Sequence, residues 1–177
     1  MAQTATIFIF AIDISDNDRG VYESIELRAA RHPSESDEYL VARVLAYCLE
    51  YVEGIEFSKG VSTPDEPAIT VRDMTGALRT WIEIGWPDAA RLHRACKASP
   101  RVAVYTHRNP DQLLRNLEGQ RIHRGEALEI YALDQALIAA LCARLERRTA
   151  LALSVTDRDL YVSIGNDTLT GSARRVR

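Results

Sequence analysis

The chain has 177 residues, 46% hydrophobic and 27% charged, the balance of one ordinary globular domain, which excludes a disordered tail, a collagen-like repeat and a disulfide miniature. Its net charge of -3, from 25 acids against 22 bases, gives no electrostatic footprint for nucleic acid, so such a partner draws no support from charge. No run reaches the roughly 18 apolar residues that cross a bilayer, the apolar run 5–12 lacks a signal peptide's basic flank, and three cysteines without paired spacing read as reduced thiols, so a cytoplasmic protein off the membrane is expected.

Residues 4–13 and 21–31 are β-prone runs around a polar turn at 15–20, which predicts an N-terminal hairpin. Asp16, Asp18 and Gly20 have the spacing of a calcium loop, but Leu27 stands where the closing Glu belongs, and a turn is the expected outcome. Ser34 as N-cap, Asp37 three residues on and Gly54 as the stop predict a helix over 34–53. Val41, Ala42, Leu45, Cys48, Leu49 and Val52 form its apolar stripe. A loop over 55–66 should lead into a hairpin of 67–73 and 78–84. Aligning the apolar sets places Ile69 opposite Ile82 and Asp73 opposite Leu78. Asp88 then opens a helix to about Ala98, residues 101–106 read as a buried strand, and Asn109 with Pro110 starts a third helix that stops before Gly119. A strand over 128–133, a helix from Asp134 to about Arg147 and a hairpin of 151–156 and 160–164 follow. Residues 170–177 lack an apolar period and read as a frayed tail. The expected whole is one α/β domain over 1–169, a mixed β-sheet flanked by helices, with N- and C-terminal β-hairpins.

The cysteines and histidines have no zinc-knuckle spacing, and neither a nucleophile elbow nor a phosphate loop is present. The carboxylates carry more information. Glu35 and Asp37 are explained by the positive end of the helix dipole. Glu38 heads the apolar stripe, and a carboxylate facing a core must be paired, metal-bound or protonated. In the hairpin register Glu83 lies opposite Ala68, with Glu66 one diagonal step, about 7–8 Å, away. Glu66 and Glu83 are therefore the first pair to share a cation and Asp65 the reserve, while Arg72 and Arg79 on that face offer a salt-bridge lattice instead.

Arg31-His32-Pro33-Ser34-Glu35 with Asp37-Glu38, Glu56-Phe57-Ser58-Lys59-Gly60, Asp65-Glu66-Pro67, Trp81-Ile82-Glu83-Ile84-Gly85 with Pro87-Asp88, and Val104-Tyr105-Thr106 together resemble the YaeQ family in order and spacing. The resemblance covers nearly the whole chain. It implies a fold similar to the PD-(D/E)xK, or restriction-endonuclease-like, nucleases, in which a helix acid and two strand acids hold Mg²⁺ and a lysine helps activate water. By position Glu38 resembles the helix acid and Glu83 the acid of the (D/E)xK element. Two departures follow, for Ala68 stands where the Asp after Pro67 would be, and Gly85 where the lysine would be.

All but two of the 22 bases are arginine. Lys97 sits at a helix C-terminus, where the dipole explains it. Lys59 stands six residues before Asp65, within reach of the carboxylates at roughly 3.3 Å per residue. The expected site is therefore Glu38, Asp65, Glu66 and Glu83 around Mg²⁺ or Mn²⁺, with Lys59 and Glu83 as the catalytic pair and no organic cofactor. This makes a divalent-metal nuclease or phosphodiesterase, intact or degenerate, the first expectation. A non-catalytic module binding nucleic acid or protein on the same scaffold is the alternative.

Overall fold

The computed structural model describes residues 4–58 and 65–177. The N-terminal hairpin forms as expected, with β1 (Thr6–Asp16) antiparallel to β2 (Val21–Arg31) in unbroken register. Asp16 closes its turn by accepting the Asp18 and Arg19 backbone N–H groups and Arg19 Nε at 2.7 Å.

The helix α1 (Asp37–Leu49) starts later than the spacing predicts. Its N-cap is Ser36, whose Oγ accepts the Tyr39 N–H at 3.1 Å, because Ser34 is turned toward His32 Nδ1, 2.6 Å away. It also ends sooner, and the chain enters β3 (Ile55–Phe57) where a loop was expected. Gly54 makes that entry possible. It has φ +89°, and the Arg72 carbonyl occupies the place a Cβ would take.

Strands β4 (Ile69–Arg72) and β5 (Leu78–Ile84) pair with Ile69 opposite Ile82, as expected. A bulge after Val71 then brings Arg72, not Asp73, opposite Leu78. Asp73 is drawn into the turn, where it accepts Thr75 N–H, Thr75 Oγ1, Ala77 N–H and Arg79 Nε. The order then runs as predicted through α2 (Ala89–Ala98), β6 (Arg101–Thr106), α3 (Pro110–Leu117), β7 (Glu129–Leu133) and α4 (Gln135–Cys142). Asp88, Asn109 and Asp134 are the N-caps, and α4 stops short of Arg147.

The C-terminus corrects the sequence reading. After β8 (Arg148–Thr156) and β9 (Asp159–Ile164), residues 170–177 are not a frayed tail but mostly part of β10 (Asp167–Arg175). That strand lies inside the sheet, between β9 and β7. It shows no apolar period because it packs small residues: Ala173 is fully buried, and Gly171 lies so close to Leu137 that a Cβ would collide. Backbone pairing on both sides holds it.

All ten strands form one mixed sheet, ordered β2-β1-β8-β9-β10-β7-β6-β5-β4-β3. The β1–β8, β5–β6 and β6–β7 pairs are parallel and the others antiparallel. The α/β class and the mixed sheet are as expected, and both terminal hairpins are part of that one sheet. Every strand contributes to one core cluster around α1 and α4, so α1 is buried over residues 40–46 without a solvent face. A second cluster joins the opposite face of β5–β7 to α2 and α3 through Trp81, Leu92, Val104 and Leu113. Alternation along β5 therefore sends Ile82 and Ile84 toward α1, and Trp81 and Glu83 toward α2.

Candidate functional site

The parallel strands β5 and β6 end side by side, and the first turns of α1 and α4 meet them there. Between these elements lies an open cleft of about 730 Å³, lined by Glu35, Glu38, Tyr39, Trp86, His107 and Arg108 among others. The carboxyl ends of parallel strands are a usual place for a ligand, since the connecting loops diverge there. The chain leaves β5 through Gly85 at φ +89°, which turns Trp86 into the cleft wall. Trp86 Nε1 donates to the Asn109 carbonyl at 3.2 Å, and the Arg108 guanidinium stacks 3.7 Å from the indole centroid.

The floor of the cleft is polar and incompletely satisfied. Glu35 has a side chain only 4% exposed, and its Oε2 accepts the His32 N–H at 3.1 Å. Arg43, buried in α1, comes within 3.7 Å of the same oxygen but makes its hydrogen bond to the Ala30 carbonyl at 2.6 Å. Among the described residues, Glu35 Oε1, Arg43 Nε and His107 Nδ1 are buried without a hydrogen-bond partner. Such atoms are uncommon, and each costs about 1–3 kcal/mol where it remains unmet. Burial lowers the His107 pKa below its usual 6.5, Arg108 adds to this, and Glu38 opposes it. Burial likewise pushes the Tyr39 hydroxyl up to about 12, so it remains a donor at neutral pH.

The sequence-predicted residues fall in different places. Glu38 is exposed and lines the cleft; the buried acid of that turn is Glu35, because α1 begins at Asp37 and leaves Glu35 to fold inward. Glu83 is 4% exposed and faces α2, where Oε1 accepts Trp81 Nε1 at 2.6 Å and Arg91 Nε at 2.7 Å. Desolvation raises its carboxyl pKa above 4.5, and the Trp81 and Arg91 hydrogen bonds partly offset this. Glu66 is brought to Glu83 through Arg91, whose Nη2 donates to the Glu66 carbonyl at 2.6 Å. Asp65 is exposed beside it, and Lys59 lies outside the described residues. Glu38 thus lines the cleft, whereas Glu83 is held by Trp81 and Arg91. Among the described residues no group of three or more His, Cys, Asp or Glu side chains is arranged to hold a metal ion.

Arg91, Glu35, Arg43 and the His107–Arg108 pair were not singled out by the sequence reading. Arg43 left one signal, an arginine between Ala42 and Val44 on a stripe that is otherwise core. Arg91 left another, one turn past the Asp88 cap and so facing back toward the hairpin.

Residues 1–172 match the family model described as YaeQ protein. The chain belongs to the YaeQ family. The uncharacterized protein YaeQ of Escherichia coli (strain K12) is 29% identical over 164 residues, 92% of this chain and 91% of that one. That of Salmonella typhi is 29% identical over 170 residues, covering 96% and 94%. Among solved structures, the YaeQ protein from Xanthomonas axonopodis pv. citri superposes with a TM-score of 0.88 at 31% identity, covering 98% of this chain and 99% of that one. The YaeQ protein from Pseudomonas syringae gives 0.87 at 27%, covering 99% and 98%. The ten-stranded sheet and four helices are therefore a YaeQ fold, end to end.

Proposed function

We propose that this YaeQ chain is a binding module for a phosphate-bearing ligand, a single nucleic-acid strand first, on a nuclease-like scaffold whose metal position is taken by an arginine. Arg91 carries the reading. Its guanidinium joins Glu83 Oε1, at 2.7 Å, to the Glu66 carbonyl, at 2.6 Å, and so neutralises a buried strand acid without a metal. The restriction-endonuclease-like scaffold is supported by chain order: the helix that presents Glu38 runs through β3 into the β4–β5 hairpin next to Glu66 and bearing Glu83. The cleft offers what a nucleotide needs. Trp86 under Arg108 is a stacking surface, Arg108 and two helix N-termini favour a phosphate, and Glu38 accepts from an amino or hydroxyl group. These groups act locally, so a net charge of -3 does not oppose them. A labelled single-stranded oligonucleotide followed by fluorescence anisotropy tests this. Saturable binding, weakened about tenfold by Arg108→Ala, is expected. No binding, or binding indifferent to Arg108, overturns it.

A second reading is favoured by the raised Glu83 pKa, the mark of an acid that would gain from more positive charge nearby. It is a divalent-metal phosphodiesterase in which Glu38, Asp65, Glu66 and Glu83 hold Mg²⁺ or Mn²⁺ and Lys59 supplies the positive group. Calorimetry with Mn²⁺ separates the two. Saturable heat in the wild type that Glu83→Gln abolishes, with Mn²⁺-dependent cleavage lost in Lys59→Ala, selects this reading over the first.

A further inference from the structure

We propose that β2 pairs through its outer edge with β2 of a second copy of this chain, antiparallel about Leu27, so that two sheets join into one. The strand ends the sheet order and runs for 11 residues without a bulge or proline, whereas the opposite edge, β3, is only 3 residues long. Long edges of this kind are usually blunted in monomers.

The direction of its backbone groups follows from its neighbours. Ile9 N–H donates to Arg147 on the β8 side, so the Ile9–Arg28 pair is not hydrogen-bonded between β1 and β2. Tyr22, Ser24, Glu26, Arg28 and Ala30 therefore turn their backbone groups outward. Among the described residues no backbone partner meets them, and only the Ala30 carbonyl is engaged, by Arg43.

The charges then select a register. In a symmetric pairing, residues of like parity must face each other, or one copy's core face would meet the other's solvent face. With Leu27 opposite Leu27, Glu26 faces Arg28 and Glu23 faces Arg31, each twice by symmetry. Moving the centre by one residue either way puts Glu26 opposite Glu26 or Arg28 opposite Arg28. Glu23, Glu26 and Arg28 form no ion pair within the described chain. Arg31 holds Asp37 but keeps a buried Nε without a partner among the described residues. Charges meant only to repel a neighbour would not be sorted with acids in the first half of the strand and bases in the second.

Sedimentation equilibrium of the full chain across a concentration series is the test. A monomer–dimer equilibrium is expected. Glu26→Arg and Arg28→Glu, each placing like charges opposite each other, should weaken it about tenfold or more, and the double swap should restore it. Glu26→Pro, which removes an N–H that β1 does not use, should abolish the dimer and leave the circular dichroism spectrum unchanged. A chain that stays monomeric at every concentration overturns the proposal. So does a dimer untouched by these changes, or open-ended assembly in place of a dimer.

Discussion

Two arginine pairs built on buried acids flank β5, and they are built to opposite standards. Toward α2, Glu83 Oε1 receives two short hydrogen bonds, at 2.6 and 2.7 Å, and Arg91 extends to the Glu66 carbonyl. Toward α1, Glu35 and Arg43 come no closer than 3.7 Å, and each keeps a buried atom without a partner among the described residues. The acids are alike in burial, with Glu83 and Glu35 side chains 6% and 4% exposed, although Arg91 is 24% exposed against 5% for Arg43. What separates the acids is satisfaction. A completed pair holds structure, whereas an incomplete one beside an open cleft keeps hydrogen-bonding capacity for whatever enters.

The largest effect should come from breaking the completed pair. Arg91→Ala leaves Glu83 desolvated with Trp81 as its one remaining donor among the described residues, and about 3 kcal/mol of stability should be lost in urea denaturation. A loss below about 1 kcal/mol would mean that the pair is loose, and the contrast with Glu35 would fail.

The same pair sharpens the contrast through pH. Burial raises the folded Glu83 pKa above 4.5, so between those values the folded state holds a proton the unfolded chain has released. This contribution is fully present below 4.5 and is lost as pH rises through the folded value. Glu83→Gln should remove that fall and flatten the stability profile just above pH 4.5, as read by denaturant titration at stepped pH.

Much of this architecture was legible because local chemistry agreed with the fold. The Asp88, Asn109 and Asp134 caps set three helices, and matching apolar faces set Ile69 against Ile82. Where tertiary contacts decide, the sequence misled. Ser34 and Ser36 are equally good caps, and only the Ser34–His32 contact selects Ser36, which in turn buries Glu35 and exposes Glu38. The β10 strand was hard to read because it carries no apolar period and is held by backbone pairing, on one side with its hairpin partner β9 and on the other with β7, distant in sequence. The sequence register set the Glu66 and Glu83 carboxylates as a pair, whereas the contact observed runs from Glu83 through Arg91 to the Glu66 backbone carbonyl, and Arg91 comes from a helix that periodicity alone could not orient.

His107 gives a smaller effect, on the cleft side. Burial lowers its folded pKa below 6.5, so its contribution is present above that value and is lost as pH falls through the folded one. His107→Asn should lessen the acid-side loss of stability below pH 6.5 in thermal melts. An unchanged acid limb would show that its buried Nδ1 is met by solvent rather than left bare.

The smallest effect is expected from Glu35→Gln, and here the two pairs separate most cleanly. The glutamine keeps one oxygen for the His32 N–H and puts an amide where Oε1 has no partner. Arg43 loses a charge at 3.7 Å but retains the Ala30 carbonyl at 2.6 Å and the face of Phe57 at 5.0 Å. Little is left uncompensated, so stability should change by no more than about 1 kcal/mol, against about three times that for Arg91→Ala. Because Glu35 lines the cleft, ligand affinity should change more than stability does. Equal and large losses of stability in both variants would show that Glu35 and Arg43 close on each other in solution, and that the cleft floor is as complete as the α2 side.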